Sequence, residues 1–418
     1  MPRAPKAPGI AAVLAAALLA GAAPAGAATP LASKLARAMR GAGGAGGASG
    51  AYVVNASDGS RVFSLRAGSP RILASNTKLF TSAAALARFG LTGTLGTEVR
   101  GRGTLAGEGV FSGDLFLVGG GDPTFGSRRF ATRSYGAGAS VEDLASKLDE
   151  AGIETVTGRV YGDESHFDAR RGTPSSGFRT SIDVGPLSAL AYNRGLANER
   201  GFGFQSNPPL FAATQLKAAL KRAGIKVRGA SRAGRAPGSA QVLASEDSPT
   251  IPLILRDMNK PSDNFFAEML AKDLAYQVYK RGSTSRGAAL AAAFARRLGA
   301  RAHLSDGSGL SRADRASPAA VVRLLIAMEN RDDFTAFYNS LPIAGRDGTL
   351  VHRMRRGPAR GRCHAKTGTL SNVSALSGYC KARSGDTYVF SFLMNAVNPV
   401  GARAIQDRMA QALAGVIG

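Results

Sequence analysis

Three short motifs, far apart in the chain, place the strongest constraint on how it can fold. They are Ser75-Asn76-Thr77-Lys78, Ser262-Asp263-Asn264 and Lys366-Thr367-Gly368, in that order. Each is short enough to arise by chance, but the ordered set is far more specific than any one of them. If the three act together, the fold must bring three distant segments to one cleft.

The first motif has the spacing of a nucleophile and its base. A serine hydroxyl is a weak nucleophile at neutral pH and needs a base beside it. Lys78 follows Ser75 by one helical turn, so the two side chains share a face of the predicted helix 76–88. That helix is apolar on nearly every face, and burial and the helix dipole both disfavour a charged lysine in its first turn. The simpler alternative is that Ser75 caps the helix while Lys78 extends to solvent.

The second motif stands just before another helical segment, where serine is a common N-cap. In a catalytic interpretation, Ser262 passes a proton between Lys78 and the leaving amine. Asn264 would then hydrogen-bond the amide carbonyl of the substrate. Taken alone, however, the motif is better explained by capping.

The third motif lies in a predicted strand whose glycine, Gly368, removes a side chain where another backbone could approach. A peptide added along that edge would place its C-terminal carboxylate near Thr367, Thr369 and the Lys366 ammonium group. The backbone N–H groups of Thr369 and Ser75 could then form an oxyanion hole. An ordinary hairpin strand is the alternative interpretation.

The two cysteines of the chain, Cys363 and Cys380, flank the third motif. If residues 371–372 form the tip of a hairpin, Leu370 faces Val373. Counting back in register, Cys363 then faces Cys380, close enough for a cross-strand disulfide. Two free buried thiols are the alternative.

Residues 1–27 have the features of an export signal. Arg3 and Lys6 precede an apolar run over residues 10–23, and residues 24–27 end in the small-x-small pattern that signal peptidase accepts. The run is shorter than the roughly 20 residues of a spanning helix, which favours cleavage over a membrane anchor. We therefore expect an exported protein in the periplasm or the cell-wall space, soluble or peripherally associated.

The formal net charge is +24, or +22 without Arg3 and Lys6, and it implies an anionic partner. Export favours anionic wall polymers or a membrane surface over nucleic acid, and the arginines are scattered rather than grouped with aromatic residues. The histidines and cysteines show no zinc spacing, so we expect no metal and no cofactor.

The rest of the chain predicts a mixed fold. Strands are predicted over 51–54, 61–65, 115–118 and 158–161, and helices over 31–39, 76–88, 141–151, 216–223, 253–279, 318–328 and 402–416. Short Gly-rich strands dominate from about residue 95 to 163, which indicates a separate β-rich or mixed module. The Gly/Ala/Ser/Arg-rich stretch 229–248 indicates the boundary at which the first domain resumes.

With these residues assigned, the chain resembles the D-alanyl-D-alanine carboxypeptidase/endopeptidase family, the class C low-molecular-mass penicillin-binding proteins. Beyond the three motifs, the segments that resemble this family are Gly113-Asp114-Leu115 with Gly119–Pro123, Asp306–Arg312, and Leu341-Pro342 with Asp347–Leu350. The resemblance extends over nearly the whole chain after the export signal.

This resemblance implies an α+β penicilloyl-serine transferase fold, with an antiparallel sheet between helices and an inserted β-rich domain. The expected boundaries are 1–27 for the signal, 28–94 and 250–418 for the two parts of a transpeptidase-like catalytic domain, and 95–249 for the insertion. The insertion is shorter than is usual in the family, so the resemblance implies no role for it.

The resemblance also implies a serine DD-peptidase that cleaves the terminal D-Ala-D-Ala bond of peptidoglycan stem peptides and is acylated by β-lactams. The same chemistry would cut a cross-link if the departing amine belongs to a second stem peptide. The expected catalytic residues are Ser75, Lys78 and Ser262, and the expected substrate-binding residues are Asn264, Lys366, Thr367, Gly368 and Thr369.

Two other functions stay open at this point. A β-lactamase has the same three motifs but must deacylate quickly, which class A enzymes do with an additional glutamate and a water. A non-catalytic protein could instead be held to anionic wall polymers by its charge alone.

Overall fold

The computed structural model describes residues 29–40, 48–198 and 200–418, so the predicted export signal, residues 1–27, lies outside the described residues. The first part of the chain contains α1 (Pro30–Arg40), β1 (Ser49–Asn55), β2 (Arg61–Leu65), β3 (Arg71–Ile72) and α2 (Thr77–Phe89). It is followed by β4 (Gly96–Ala106), β5 (Val110–Gly119), α3 (Arg128–Tyr135), α4 (Val141–Glu150), β6 (Thr155–Val156), β7 (Val160–Asp163), α5 (Pro208–Arg222), β8 (Lys226–Val227), β9 (Arg232–Ala233) and β10 (Gln241–Asp247). The last part contains α6 (Ile251–Asn259), α7 (Asn264–Tyr279), α8 (Thr284–Arg297), β11 (Ala302–His303), β12 (Arg315–Ala316), α9 (Pro318–Glu329), α10 (Phe334–Ser340), β13 (Cys363–Leu370), β14 (Val373–Lys381), β15 (Thr387–Asn395) and α11 (Pro399–Ala414).

Five antiparallel strands form the central sheet, in the order β13-β14-β15-β1-β2. Both of its faces are buried. On one face Tyr379 and Leu393 pack with residues of α2, α6, α7, α8 and α9. On the other face Phe390 and Phe392 pack with α1 and α11. Burial on both faces explains why β15 is an almost continuous apolar run. The predicted α+β class, with an antiparallel sheet between helices, is confirmed.

Residues 96–247 contain a second sheet of seven strands, with the path β10-β4-β5-β6-β8; off this path, β7 pairs with β5 and β9 pairs with β7. Helices α4 and α5 pack on this sheet around a separate apolar core that includes Val99, Leu117 and Leu216. A small third sheet joins β11, β12 and β3. This third sheet leads directly into the segment that carries Ser75.

Several helices differ from their sequence predictions. The predicted helix 253–279 is two helices, α6 and α7, separated by residues 260–263. Helix α5 begins at Pro208 rather than at residue 216, because Asn207 caps it and accepts a hydrogen bond from the Leu210 N–H at 3.2 Å. Helices α3, α8 and α10 are absent from the sequence prediction. Among the described helices, none is both long and apolar enough to cross a membrane.

Asp263, and not Ser262, is the N-cap of α7. Asp263 Oδ1 accepts a hydrogen bond from the Phe266 N–H at 3.0 Å. Ser262 instead has a left-handed φ of 66°, which is uncommon for a residue other than glycine. The capping interpretation of Ser262 is therefore wrong, and its hydroxyl has a different partner.

Candidate active site

Ser75 lies in a tight turn between β3 and α2. The 3₁₀ turn 74–76 runs directly into the helix, and its first residue has a left-handed φ of 46°. Asn76 ties the turn to β13, because its Nδ2 donates a hydrogen bond to the Lys366 carbonyl at 3.0 Å. Within residues 71–80 every residue except Ser75 is buried. The turn therefore presents this one side chain to the surface of the cleft.

Lys78 is buried in the first turn of α2 with its amine directed at Ser75. Its Nζ lies 3.2 Å from Ser75 Oγ and 2.7 Å from each of two carbonyl oxygens, Asn264 Oδ1 and the main-chain oxygen of Ser308. Burial lowers the pKa of Lys78 to about 8, although nearby carboxylates oppose the shift. A neutral amine has two N–H groups, and the two carbonyls accept both. Its lone pair then faces the Ser75 hydroxyl.

Buried carboxyl groups hold the loop that supplies the Ser308 carbonyl. Glu268 Oε1 accepts hydrogen bonds from the N–H groups of Gly307 (3.1 Å) and Ser308 (2.8 Å). Asp306 and Asp314 accept further backbone N–H groups of the same loop. Burial raises the pKa of Glu268 and of Asp314. One acceptor of the catalytic-site lysine is thus positioned by residues to which the sequence assigned no role.

The second and third motifs meet through their side chains. Ser262 Oγ accepts a hydrogen bond from Lys366 Nζ at 2.8 Å. Lys366 is fully buried and also donates to the Thr367 carbonyl at 3.0 Å. Burial, followed by the charge of Lys78, holds the pKa of Lys366 well below its ordinary value. Lys366 therefore acts as a hydrogen-bond donor that fixes Ser262, rather than as an exposed cation.

The remaining residues of the second motif connect to a segment between β7 and α5. The Asn264 side chain accepts from Lys78 and donates through Nδ2 to the Asp183 carbonyl at 3.1 Å. The amide has a second N–H with which it can bind a substrate carbonyl. Asp263 forms an ion pair with Arg194. No motif indicates Asp183 or Arg194, and ordinary loop residues of this kind leave no signal in a single sequence.

Strand β13 is an edge of the central sheet. Cys363 and Cys380 face each other as a closely spaced pair, with 4.0 Å between their Cα atoms. Because close and wide pairs alternate in an antiparallel ladder, the N–H and C=O groups of Thr367 and Thr369 point away from β14. The backbone of residues 342–344 covers the first part of this edge through hydrogen bonds. The edge is therefore open from Thr367 onward.

Gly368 allows β13 to pass close to the turn that carries Ser75. A Cβ atom at Gly368 would lie 2.9 Å from the Leu73 carbonyl oxygen and 3.0 Å from the Ser75 nitrogen. Both contacts are with backbone, which cannot move aside cheaply. The glycine thus permits the close approach of strand and turn that the sequence predicted.

The two threonine hydroxyls beside Gly368 have different partners. Thr367 Oγ1 lies 2.7 Å from Thr349 Oγ1. Thr369 Oγ1 accepts a hydrogen bond at 3.1 Å from the guanidinium of Arg403, an exposed residue of α11. Arg403, which no motif indicates, therefore brings a permanent charge to the open edge.

The hairpin of β13 and β14 also carries the two cysteines. Leu370 pairs with Val373 and Cys363 pairs with Cys380, which is the register counted from the sequence. The two sulfur atoms form a disulfide, and both side chains are buried. Cys363 lies five residues before Gly368, about 17 Å along the strand. The cross-link stabilises the hairpin at a distance from the motif cluster.

Two histidines, His166 and His364, lie against tyrosine rings outside the motif cluster. His166 stacks on Tyr276 and His364 stacks on Tyr338, each with 4.0 Å between ring centroids. Burial lowers the pKa of both imidazoles. Over the described ranges, no group of three or more His, Cys, Asp and Glu side chains is arranged to hold a metal ion.

Sequence comparisons relate nearly the whole chain to known proteins. A model of the family described as D-Ala-D-Ala carboxypeptidase 3 (S13) matches residues 31–199 and 198–416. The chain is 30% identical to a D-alanyl-D-alanine carboxypeptidase of Actinomadura sp. (strain R39), over 87% of this chain and 80% of that protein. It is 28% identical to a carboxypeptidase of Mycobacterium tuberculosis, over 84% of this chain and 77% of that protein.

The structure is similar to that of penicillin binding protein 4 from Haemophilus influenzae. The TM-score is 0.76 at 21% identity, over 91% of this chain and 98% of the other. A second structure of the same protein, complexed with a β-lactam, gives a TM-score of 0.72 at 20% identity over the same shares of both chains. This likeness confirms the predicted fold, an α+β serine peptidase fold with an additional domain.

Proposed function

The chain belongs to the D-Ala-D-Ala carboxypeptidase 3 (S13) family, and we propose that Ser75 is the nucleophile of its serine DD-peptidase reaction. The enzyme cleaves the terminal D-Ala-D-Ala bond of peptidoglycan stem peptides. One observation carries the assignment: Lys78 Nζ lies 3.2 Å from Ser75 Oγ, and two neutral carbonyls accept both hydrogens of the uncharged amine. An amine in that setting is a general base.

Acylation and deacylation use the same pair of residues. Lys78 takes the proton of Ser75 while Oγ attacks the carbonyl carbon of the D-Ala-D-Ala bond. The C–N bond then breaks, an ester joins Ser75 to the shortened peptide, and D-alanine leaves after its nitrogen has received the proton. Water next attacks the ester and gives its proton to Lys78. Ser75 regains a proton as the shortened peptide departs.

We propose that Ser262 relays the proton from Lys78 to the leaving nitrogen. The hydrogen bond from Lys366 to Ser262 Oγ supports this role, because it fixes the hydroxyl beside the third motif. A fixed hydroxyl can accept one proton and donate another without changing its own charge. In this role Lys366 is a positioning residue.

We propose that the substrate binds as an added strand along β13. The outward N–H groups of the open edge support this mode. The N–H groups of Thr369 and Ser75 would form the oxyanion hole, and the Asn264 amide would bind the substrate amide. The terminal carboxylate would lie at the hydroxyls of Thr367 and Thr369, next to the guanidinium of Arg403.

β-Lactams acylate the enzyme through the same chemistry. Their ring amide takes the place of the D-Ala-D-Ala bond, and the structure of the Haemophilus influenzae protein complexed with a β-lactam supports this reaction. If the departing amine belongs to a second stem peptide, the reaction cuts a cross-link. We propose this endopeptidase step as a second activity of the same site.

Substitution of the nucleophile tests the proposal. Ser75→Ala should abolish labelling by a fluorescent penicillin and release of D-alanine from a synthetic pentapeptide ending in D-Ala-D-Ala. Its thermal transition should stay within about 2 °C of the wild type, since only one hydroxyl is removed. Ser146→Ala, on the exposed face of α4, is the matched control and should keep both activities. Persistent labelling of Ser75→Ala would refute the assignment.

Two further outcomes distinguish the alternatives. A β-lactamase would turn over a chromogenic cephalosporin rapidly, whereas a DD-peptidase gives a stoichiometric burst followed by slow turnover. A non-catalytic wall-binding protein would bind sacculi but release no D-alanine at all.

We propose that the enzyme is exported and works outside the cytoplasmic membrane. The charged, apolar and small-residue regions of residues 1–27 support this location, as does a substrate that lies in the cell wall. The charge of +22 on the remaining chain supports association with anionic wall polymers or a membrane surface. An N-terminus near residue 28 in secreted protein, measured by mass spectrometry, is the expected result.

We also propose that residues 28–94 and 250–418 form the catalytic domain and that residues 95–249 are inserted into it. The separate apolar core around Val99 and Leu216 supports this division. Leu187 and Ala189 nevertheless pack in the core of the central sheet. The insertion is thus fixed to the catalytic domain beside Asp183 and Arg194, and limited proteolysis should release no stable fragment before global unfolding.

A further inference from the structure

A basic cavity lies at the N-terminus of α8, outside the candidate active site. Its volume is about 390 Å³, and the residues that line it include Asp168, Arg170, Phe178, Arg281, Thr284 and Arg286. Sites for small molecules begin at roughly 300 Å³, so the cavity is large enough for a ligand. Helix α7, 16 residues and about 24 Å long, runs from the second motif towards this cavity.

The first turn of α8 offers unsatisfied backbone donors to the cavity. The first N–H groups of any helix lack acceptors within the helix. Ser283, the N-cap of α8, makes no side-chain capping hydrogen bond that would satisfy one of them. Because α8 has 14 residues, its dipole adds positive partial charge at this end. Such a terminus favours an anion.

Thr284 points to a ligand independently of the helix dipole. Thr284 is one of the residues that line the cavity, and it is only 3% exposed. Its Oγ1 has no hydrogen-bond partner anywhere in the described part of the chain. A buried hydroxyl without a partner costs free energy. A ligand oxygen in the cavity would supply the missing partner.

Three arginines surround the same position, and no described acidic side chain forms an ion pair with any of them. The Arg170 guanidinium stacks on Phe178 at 4.2 Å from the ring centroid. Arg286 stacks on Tyr279 at 4.7 Å. These contacts hold the planar groups in place while leaving their N–H groups available, and Arg281 is exposed beside them.

Asp168 does not cancel this positive charge. Its carboxylate lies 2.5 Å from the Nζ of Lys272, a fully buried lysine that also donates to the Arg170 carbonyl. The buried Lys272 ammonium group therefore neutralises the Asp168 carboxylate. The arginines carry the net charge that a ligand meets.

We propose that this cavity binds a phosphate group through the Thr284 hydroxyl, the first N–H groups of α8 and the guanidinium groups of Arg281 and Arg286. A phosphate is tetrahedral and has several oxygen acceptors that point in different directions. This geometry suits a site in which the N–H groups of a helix end and of two guanidinium groups approach from different sides. A carboxylate, with two oxygens in one plane, would leave some of these donors unused. The group can belong to free phosphate, to a phosphodiester polymer or to a lipid headgroup.

Calorimetric titration with inorganic phosphate, at an ionic strength kept constant with chloride, tests the site on the chain without residues 1–27. The wild type should bind one phosphate saturably, and Arg281→Gln/Arg286→Gln should bind at least tenfold more weakly. Arg296→Gln/Arg297→Gln removes the same charge from the opposite end of α8 and should bind like the wild type. Equal losses in both double variants would mean general charge attraction and would overturn the proposal, as would no saturable binding to the wild type.

Thr284→Val separates a ligand site from a water-filled space. The variant keeps the shape of the side chain and removes the unpartnered hydroxyl. Phosphate affinity should fall several-fold, while the melting temperature in chloride should be unchanged or higher. Unchanged phosphate affinity would overturn the proposal.

Two more probes identify the source of the phosphate. Soluble poly(glycerol phosphate) and vesicles of phosphatidylglycerol are titrated against the same variants. Tighter binding of the polymer than of inorganic phosphate assigns the cavity to a polymer, and tighter binding of the vesicles assigns it to a lipid surface; either supports the proposal. Penicillin labelling, measured in parallel, should be equal in all variants, so failure of this site and failure of the proposed function are distinguishable.

Discussion

Basic residues at the two ends of α7 differ in side-chain type and in access to water. Beside the start of the helix, Lys78 and Lys366 are fully buried, and burial lowers the pKa of both amines. Beyond its end, Arg281 and Arg286 are exposed, and guanidinium groups are charged in proteins whatever their surroundings. Burial thus converts a cation into a group that can accept or position a proton. Exposure leaves the guanidinium cations accessible to an anion from solution.

Lys272, in the middle of the same helix, shows that burial alone does not make a base. It is as deeply buried as Lys78, and burial lowers its pKa as well. However, its Nζ contacts the Asp168 carboxylate, whereas Lys78 contacts neutral carbonyl oxygens and the Ser75 hydroxyl. The partner of a buried amine decides whether it holds a structure together or moves a proton.

The largest effect is expected when Lys78 and Lys272 are replaced by methionine in two separate variants. Lys78→Met should lower the rate constant of acylation by penicillin roughly 10²- to 10⁴-fold, because the general base is lost. Lys272→Met should change that rate less than about threefold but lower the free energy of unfolding by roughly 3 kcal/mol, since Asp168 loses its partner. Stopped-flow acylation and urea unfolding measure the two quantities. If both substitutions lowered the acylation rate constant equally, the assignment of Lys78 as the base and of Lys272 as a structural residue would be wrong.

A smaller effect is expected from Gly368→Ala. The new Cβ would press on the Leu73 carbonyl and the Ser75 nitrogen, and a displacement of this kind costs about 10²-fold in rate. Gly68→Ala, where an added Cβ meets nothing within 4 Å, is the control and should acylate like the wild type. If Gly368→Ala were fully active, acylation would not depend on the close contact between β13 and the turn that carries Ser75.

The pH dependence should separate the buried amines from the exposed guanidiniums. Only neutral Lys78 can accept the Ser75 proton, and its pKa is lowered to about 8. The acylation rate constant should therefore rise about tenfold per pH unit below 8 and level off above it. A flat acylation profile between pH 6 and 9 would contradict a lysine base.

Phosphate binding at the arginine cavity should not weaken between pH 8 and 9.5, because arginine keeps its charge there.

The smallest effect is expected at Arg403, the exposed cation of the candidate active site. Arg403→Gln should raise KM for the pentapeptide about fivefold and leave kcat within twofold, because a solvent-exposed charge contributes modestly to binding a carboxylate. Arg408→Gln, on an exposed face of the same helix, should change neither constant. A large fall in kcat for Arg403→Gln would place this residue in the chemical step instead.

Local patterns were sufficient to predict several parts of this site. The three-residue spacing of Ser75 and Lys78 places both on one helical face, and an apolar helix implies that the lysine is buried. The hairpin register follows from counting outward from residues 371–372, because side chains across a hairpin pair in fixed order. Each of these inferences uses residues that are neighbours in sequence or are related by a single turn.

Other parts could not be predicted because they depend on contacts between distant segments. Ser262 in the sequence has the features of an N-cap, and only the fold shows that Asp263 takes that position while Ser262 meets Lys366. Arg194 and Glu268 belong to no motif. Their importance arises from what packs against them.

The sequence by itself determined the chemical inventory: a serine with a lysine one turn away, a glycine in a strand, and two cysteines in register. Tertiary structure alone decided which amines lose their charge and which acceptors they meet. The physical reason is that a pKa and a hydrogen bond depend on burial and on distances of about 3 Å. Residues 78, 264 and 308 reach those distances only after the chain has folded.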